Sequence, residues 1–304
     1  MKKLLFLFGF ISLLEAAPRT QIHMGTLISV QVDDENLSDA VFELFRDLDK
    51  RLSTYKSDSE ISRLSAKGDL IVDPTTTEVL KRSLEISALT DGAFDITIGV
   101  LTHGLYGFGT AEHIPSSNEI AKKLPKVNYK HLLLKGNHAH IESNTTIDLG
   151  GIAKGYAVDL SLALLERHGI KKGVIAASGD IGCLGACVID IQDPFHQQGK
   201  IATVSSTLSR FAISTSGNYE RYIKNKKNNH LIDPRTGKPE QKYASITLID
   251  STDNTRLDAL ATAVSVMEET KAIKLLDSLK IGYILIYNDG RIIKSMLSEG
   301  ITLK

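Results

Sequence analysis

Between Lys172 and Asp250 the sequence passes through five extended segments, "KGVIAAS", "CVIDIQDP", "KIATVSS", "LSRFAIST" and "YASITLID", and most of the links between them are short. A parallel neighbour needs a crossover of roughly a dozen residues or more, so short links force antiparallel pairing. "KHLLLKGNHAHIES" reads as a further hairpin turning at Gly136-Asn137, and "GYILIYNDGRIIKSM" as another turning at Asn288-Asp289-Gly290. "HMGTLISVQVD" alternates like one strand, and "TTIDL" reads as a short one.

Helical patterns fall mainly outside that stretch. Val41, Leu44, Phe45, Leu48 and Leu52 repeat at helical spacing, and Asp73-Pro74 opens a helix through Val79, Leu80, Leu84 and Ile86 that stops at Asp91-Gly92. A helix follows Gly151, and two more are expected from about Leu257 to Met267 and from Lys271 to Leu279. "TYKSDSEIS" reads as a polar loop, and "DGAFDITIGVLTHGLYGFG" as irregular. The expected class is α+β: a largely antiparallel or mixed sheet core with helices packed on it.

With 304 residues, 42% hydrophobic and 24% charged, the chain can bury a sizeable core, and nothing resembling a linker or a repeat divides it. Thirty-six basic residues balance thirty-six acidic ones, which argues against nucleic acid or an anionic membrane as a partner of the whole surface. Lys2 and Lys3 precede the apolar run Leu4 to Leu14, and Ala16-Ala17 follow. That is the pattern of a signal peptide over residues 1–17, with 18–304 as a single domain. A buried N-terminal helix or an uncleaved anchor is the other reading. No cysteine follows the apolar run, so the expectation is a soluble periplasmic protein without a lipid anchor.

Cys183 and Cys187 are the only cysteines. Four residues of extended strand would separate their Cα atoms by roughly 13 Å, beyond disulfide reach. Two buried thiols are therefore expected unless a turn at Gly185 folds the segment back.

Three stretches could carry chemistry. In "DLGGIAKGYAVD" a strand end delivers Asp148, two glycines allow close approach, and Lys154 lies on the first turn of a helix whose N–H groups could face an anion. By itself this is more simply a tight connection with Asp148 as a helix cap. In "TRLDALATAVSVM", Asp258 and Thr262 are four apart on one helical face. A carboxylate and a hydroxyl aimed the same way are hard oxygen ligands of the kind magnesium takes together with substrate phosphates, although dipole compensation and a back-bonded threonine explain them alone. In "HLIDPRTGKP", His230 stands before a turn and is the residue type suited to accept a hydroxyl proton near neutral pH. HExxH, CxxC, GxSxG and GxxxxGK[ST] are missing from the sequence, which weakens protease, esterase and P-loop readings.

These segments, in order with "LSTYKSDSEISRLS", "DGAFDITIG", "ASGDI", "IQDP", "SGNYERY" and "DALATA", resemble the FAD:protein FMN transferases of the ApbE family across nearly the whole mature chain. The resemblance implies FAD contacts at Met24, Tyr55, Ala93, Phe94, Asp95, Asp148, Lys154 and Leu231. It implies Mg²⁺ held at Gly151, Asp258 and Thr262, and His230 as general base. It further implies that FMN passes from FAD to a Thr or Ser hydroxyl of an acceptor protein, such as a redox-pump subunit or a secreted reductase, with AMP leaving. The alternatives are a Mg-dependent FAD pyrophosphatase giving FMN and AMP, in which water replaces the acceptor, and a periplasmic flavin-binding protein without catalysis.

Overall fold

Every pairing between strands of the main sheet is antiparallel in the computed structural model, which describes residues 17–196, 198–219 and 221–304. The expected signal peptide, apart from Ala17, lies outside the described residues. In chain order the strands are β1 (Arg19–His23), β2 (Thr26–Gln31), β3 (Asp69–Ile71), β4 (Leu132–Lys135), β5 (His138–Ile141), β6 (Gly173–Ala177) and β7 (Asp180–Leu184). They continue as β8 (Cys187–Gln192), β9 (Lys200–Ser206), β10 (Arg210–Gly217), β11 (Tyr243–Asp250), β12 (Gly282–Tyr287), β13 (Ile292–Lys294) and β14 (Ile301–Leu303). The helices are α1 (Glu35–Leu52), α2 (Glu60–Lys67), α3 (Pro74–Leu89), α4 (Gly99–Thr102), α5 (Ser117–Lys123), α6 (Ala153–Arg167), α7 (Asn254–Val266) and α8 (Glu269–Ser278).

Eight strands form one sheet in the order β1-β2-β6-β7-β10-β11-β12-β13, and two three-stranded sheets, β14-β9-β8 and β3-β5-β4, flank it. Period-two alternation sends Ile175 and Ala177 of β6 to the face covered by α1, α6 and α7, and Val174 and Ala176 to the face covered by β8 and β9. Both faces are thus dry. For that reason β6, β7 and β12 are buried along their whole length and carry no polar-out alternation. The α+β, antiparallel expectation holds.

Several local readings change. "HMGTLISVQVD" is the end of a β1–β2 hairpin that turns at Met24-Gly25, both with positive φ (49° and 72°). "TTIDL" makes no ladder and contributes only a bridge between Thr146 and Ile98, because the Asp148 N–H turns to the Ile96 carbonyl at 2.7 Å. The polar loop ends sooner than expected: Ser59 caps α2 by accepting from the Ser62 N–H, and Ile61 and Leu64 bury its inner face. The expected thiols are instead a Cys183–Cys187 disulfide. Gly185, at φ +72°, reverses the chain between β7 and β8 and brings the two Cα atoms to 6.5 Å, so the extended-strand distance never applies.

Candidate active site

The two central helices meet through their polar ends. Gly155 stands in the first turn of α6, and its N–H donates to Asp258 Oδ2 of α7 at 3.1 Å. Ile152, at the cap position of α6, offers no side-chain acceptor, so the α7 carboxylate does the capping. Asp258 itself lies in the second turn of α7, whose own cap is Asp253, and is 3% exposed. It therefore serves the neighbouring helix and not its own dipole.

Lys154 closes this junction. Its Nζ lies 3.3 Å from Asp258 Oδ2, 3.1 Å from Asp180 Oδ2 and 3.2 Å from the Gly150 carbonyl. Asp180, at the start of β7, is 2% exposed and also accepts from the Ser214 hydroxyl at 2.6 Å. Burial, together with the nearby Asp258 charge, pushes the Asp180 carboxyl up to about 7 despite Lys154. One ammonium shared by two buried carboxylates leaves the junction short of positive charge.

Gly151 and Thr262 complete it. A Cβ on Gly151 would sit 2.7 Å from Thr262 Oγ1 and 3.4 Å from the Phe94 ring, so only glycine permits this approach. Among the described residues the Thr262 hydroxyl makes no back-bond to its own helix, whereas Ser265 donates to the Thr262 carbonyl at 2.7 Å. A carboxylate, a hydroxyl and the adjoining Gly151 backbone form a hard-oxygen set that suits Mg²⁺. The set is too small to cage an ion, and among the described residues no three His, Cys, Asp or Glu groups converge to do so. It fits a metal whose remaining ligands are water and phosphate.

The opening turn is only partly the anion cradle its sequence suggests. The Ile152 and Ala153 amides both donate to the Leu149 carbonyl, at 3.1 and 2.9 Å, and the Gly155 amide is taken by Asp258. Asp148 does not cap α6 either. It accepts from the Gly150 N–H at 2.8 Å and the Thr102 hydroxyl at 2.6 Å, and pairs with His103 Nε2 at 3.1 Å. Burial opposes its ionisation, but His103, Thr102 and Gly150 outweigh that and hold the carboxyl well below the usual range.

All twelve residues singled out from sequence line a single cavity of about 720 Å³, well within the size of a small-molecule site. Met24 enters from the β1–β2 turn, Tyr55 from the segment after α1, and Ala93, Phe94 and Leu231 as apolar wall. Asp95 lines the cavity as well. Oδ1 accepts from the Thr97 N–H and hydroxyl, and Oδ2 from the Tyr129 N–H at 2.7 Å, so its carboxylate holds the loop together. His230 is half-buried, and desolvation pushes its imidazole down to about 4. Its Nδ1 lies 3.1 Å from the Arg221 carbonyl, which can only accept, so Nδ1 carries the proton and Nε2 is the basic nitrogen.

Thr102, His103, Asp180 and Arg221 were missed. His103 is one of several scattered histidines in the sequence, and Asp180 lies inside the short "ASGDI" segment; neither has a spacing that betrays its partners.

The model of the ApbE family matches residues 24–285. The chain belongs to the ApbE family. Among curated relatives, the FAD:protein FMN transferase of Vibrio cholerae serotype O1 is 28% identical, with 88% of each chain covered. That of Escherichia coli strain K12 is 30% identical over 82% of this chain and 76% of its own. Among solved structures, the ApbE protein from Thermotoga maritima superposes with a TM-score of 0.84 at 27% identity, over 92% of this chain and 97% of that one. The flavin transferase ApbE from Vibrio cholerae gives 0.80 at 26% identity, over 93% and 97%. The α+β architecture is the one these ApbE structures share.

Proposed function

We propose that this chain is a Mg-dependent FAD:protein FMN transferase that moves FMN from FAD to a Thr or Ser hydroxyl of an acceptor protein and releases AMP. The observation that carries this reading is the convergence of Gly151, Lys154, Asp258 and Thr262 at one end of a dinucleotide-sized cavity with His230 on its wall. FAD would lie with its diphosphate at the α6–α7 junction and its flavin among Met24, Tyr55, Phe94 and Leu231. Asp258, Thr262 and the Gly151 backbone would hold Mg²⁺, which when bound supplies charge neutralisation at the diphosphate. Lys154 would turn from Asp258 towards a non-bridging phosphate oxygen and keep Asp180 as its second partner.

His230 Nε2 is neutral at physiological pH and can take the acceptor hydroxyl proton. As the hydroxyl oxygen bonds to the FMN phosphorus, the bond from that phosphorus to the bridging oxygen breaks and its electron pair leaves with AMP. Residues 18–304 would form the single transferase domain, acting in the periplasm after removal of residues 1–17. The acceptor would be a redox-pump subunit or a secreted reductase. The test is incubation with FAD, Mg²⁺ and candidate acceptor domains, followed by intact-protein mass spectrometry. An acceptor gaining one FMN supports transfer; rapid FMN and AMP formation with no gain on any acceptor would instead make the chain a pyrophosphatase.

A further inference from the structure

The mouth of the cavity is tied together by a side chain that the proposed chemistry does not use. Tyr55 is 52% exposed on the segment between α1 and α2, and an exposed loop tyrosine does not keep one orientation unaided. Here Arg221 Nη2 donates to Tyr55 Oη and to the Phe108 carbonyl, both at 2.6 Å. The guanidinium carbon lies 5.7 Å from the Tyr55 ring centroid and 5.8 Å from that of Phe108, within cation–π range. On its other side the Tyr55 ring meets His103 edge-on at 4.7 Å, and His103 pairs with Asp148. Among the described residues the partners of the Arg221 side chain are the Tyr55 hydroxyl, the Phe108 carbonyl and the two rings. Gly109, at φ +76°, has no Cβ to strike Arg221 Nη2. The Arg221 carbonyl accepts from both the N–H and the Nδ1 of His230, each at 3.1 Å.

We propose that Arg221 is a positioning residue that latches Tyr55 into a preformed aromatic wall for the flavin, while its carbonyl sets the tautomer of His230. The proposal rests on the reading of this cavity as the FAD site. Its two arms separate cleanly, because a side-chain substitution removes the latch and leaves the carbonyl. A planar fork is needed to reach two acceptors while lying against two rings, and a lysine ammonium cannot supply it.

The experiment measures FAD affinity by titration, and FMN transfer at low and saturating FAD, for wild type, Arg221→Ala, Arg221→Lys, Tyr55→Phe and the Arg221→Ala/Tyr55→Phe double variant. Arg221→Ala should weaken FAD binding about tenfold and raise KM alike, the loss expected for a charge-assisted hydrogen bond and a stacked cation, with kcat little changed. Arg221→Lys should not restore affinity, and Arg221→Ala should cost clearly less in the Tyr55→Phe background than alone. Unchanged FAD affinity in folded Arg221→Ala, full rescue by lysine, or additive losses in the double variant would overturn the latch. If wild type binds no FAD, the site reading fails; if wild type binds and the alanine variant binds equally, only this inference fails. Should Arg221→Ala not fold, Arg221→Lys and Tyr55→Phe carry the comparison.

Discussion

Gly151, in the turn before α6, and Thr262 of α7 are so close that a single methyl group on the glycine would sit 2.7 Å from the threonine hydroxyl. The helix that bears Thr262 also bears Asp258 one turn earlier, and that carboxylate caps the helix beginning just after Gly151. Helix capping and the proposed metal site are therefore one structure, and a change in either disturbs both.

Gly151→Ala tests this directly. The added methyl must push the Thr262 side chain aside, an overpacking cost of about 1–3 kcal/mol. The expected outcome is a lowered Tm together with a large rise in the Mg²⁺ concentration needed for half-maximal turnover. A variant with wild-type Mg²⁺ dependence would show that the Gly151–Thr262 approach does not matter to the ion.

Asp258→Asn keeps the shape of the side chain and an oxygen for the Gly155 N–H, but removes the charge that Lys154 shares with Asp180. FMN transfer should fall by roughly 100-fold or more, the scale of losing one pre-aimed electrostatic group. FAD binding measured without metal should persist. Turnover close to wild type would remove Asp258 from the metal site.

His230 makes a pH prediction. Desolvation lowers its folded-state value to about 4 from an ordinary 6.5, so the imidazole is neutral across the neutral range. The acid limb of kcat/KM for FAD should consequently lie near 4 and not near 6.5. For stability the sign follows from proton uptake: below 6.5 the unfolded chain binds a proton that the folded chain refuses. This contribution is whole above 6.5 and is lost as pH falls towards 4. A kinetic limb at 6.5 that vanishes in His230→Ala would mean that His230 is far better solvated than the structure has it.

The Cys183–Cys187 disulfide closes a very short loop against the sheet face away from α6 and α7. Chain entropy assigns so small a loop about 2 kcal/mol. Reduction should lower Tm by a few degrees and leave FAD affinity and transfer unchanged. Loss of activity on reduction, with the fold intact, would contradict the separation between this turn and the cavity.

What could be read from the chain without its fold was whatever has a local cause. Short links imposed antiparallel strands, helical spacing marked α1, α3, α7 and α8, and one turn of helix brought Asp258 and Thr262 to a common face. The reading failed where the cause was remote. "TTIDL" has strand composition but lies beside residues 96–98, where no ladder is offered.

The sequence by itself determined the longer helices, the antiparallel strands and the faces they bury, because hydrophobic period and turn chemistry act over a few residues. Only the tertiary structure decided that Asp258 caps a helix 103 residues away, that Asp180 shares its lysine, and that Arg221 reaches Tyr55 across 166 residues. Such pairs are created when buried charges and donors must find partners in a packed interior, a requirement that no spacing in the chain records.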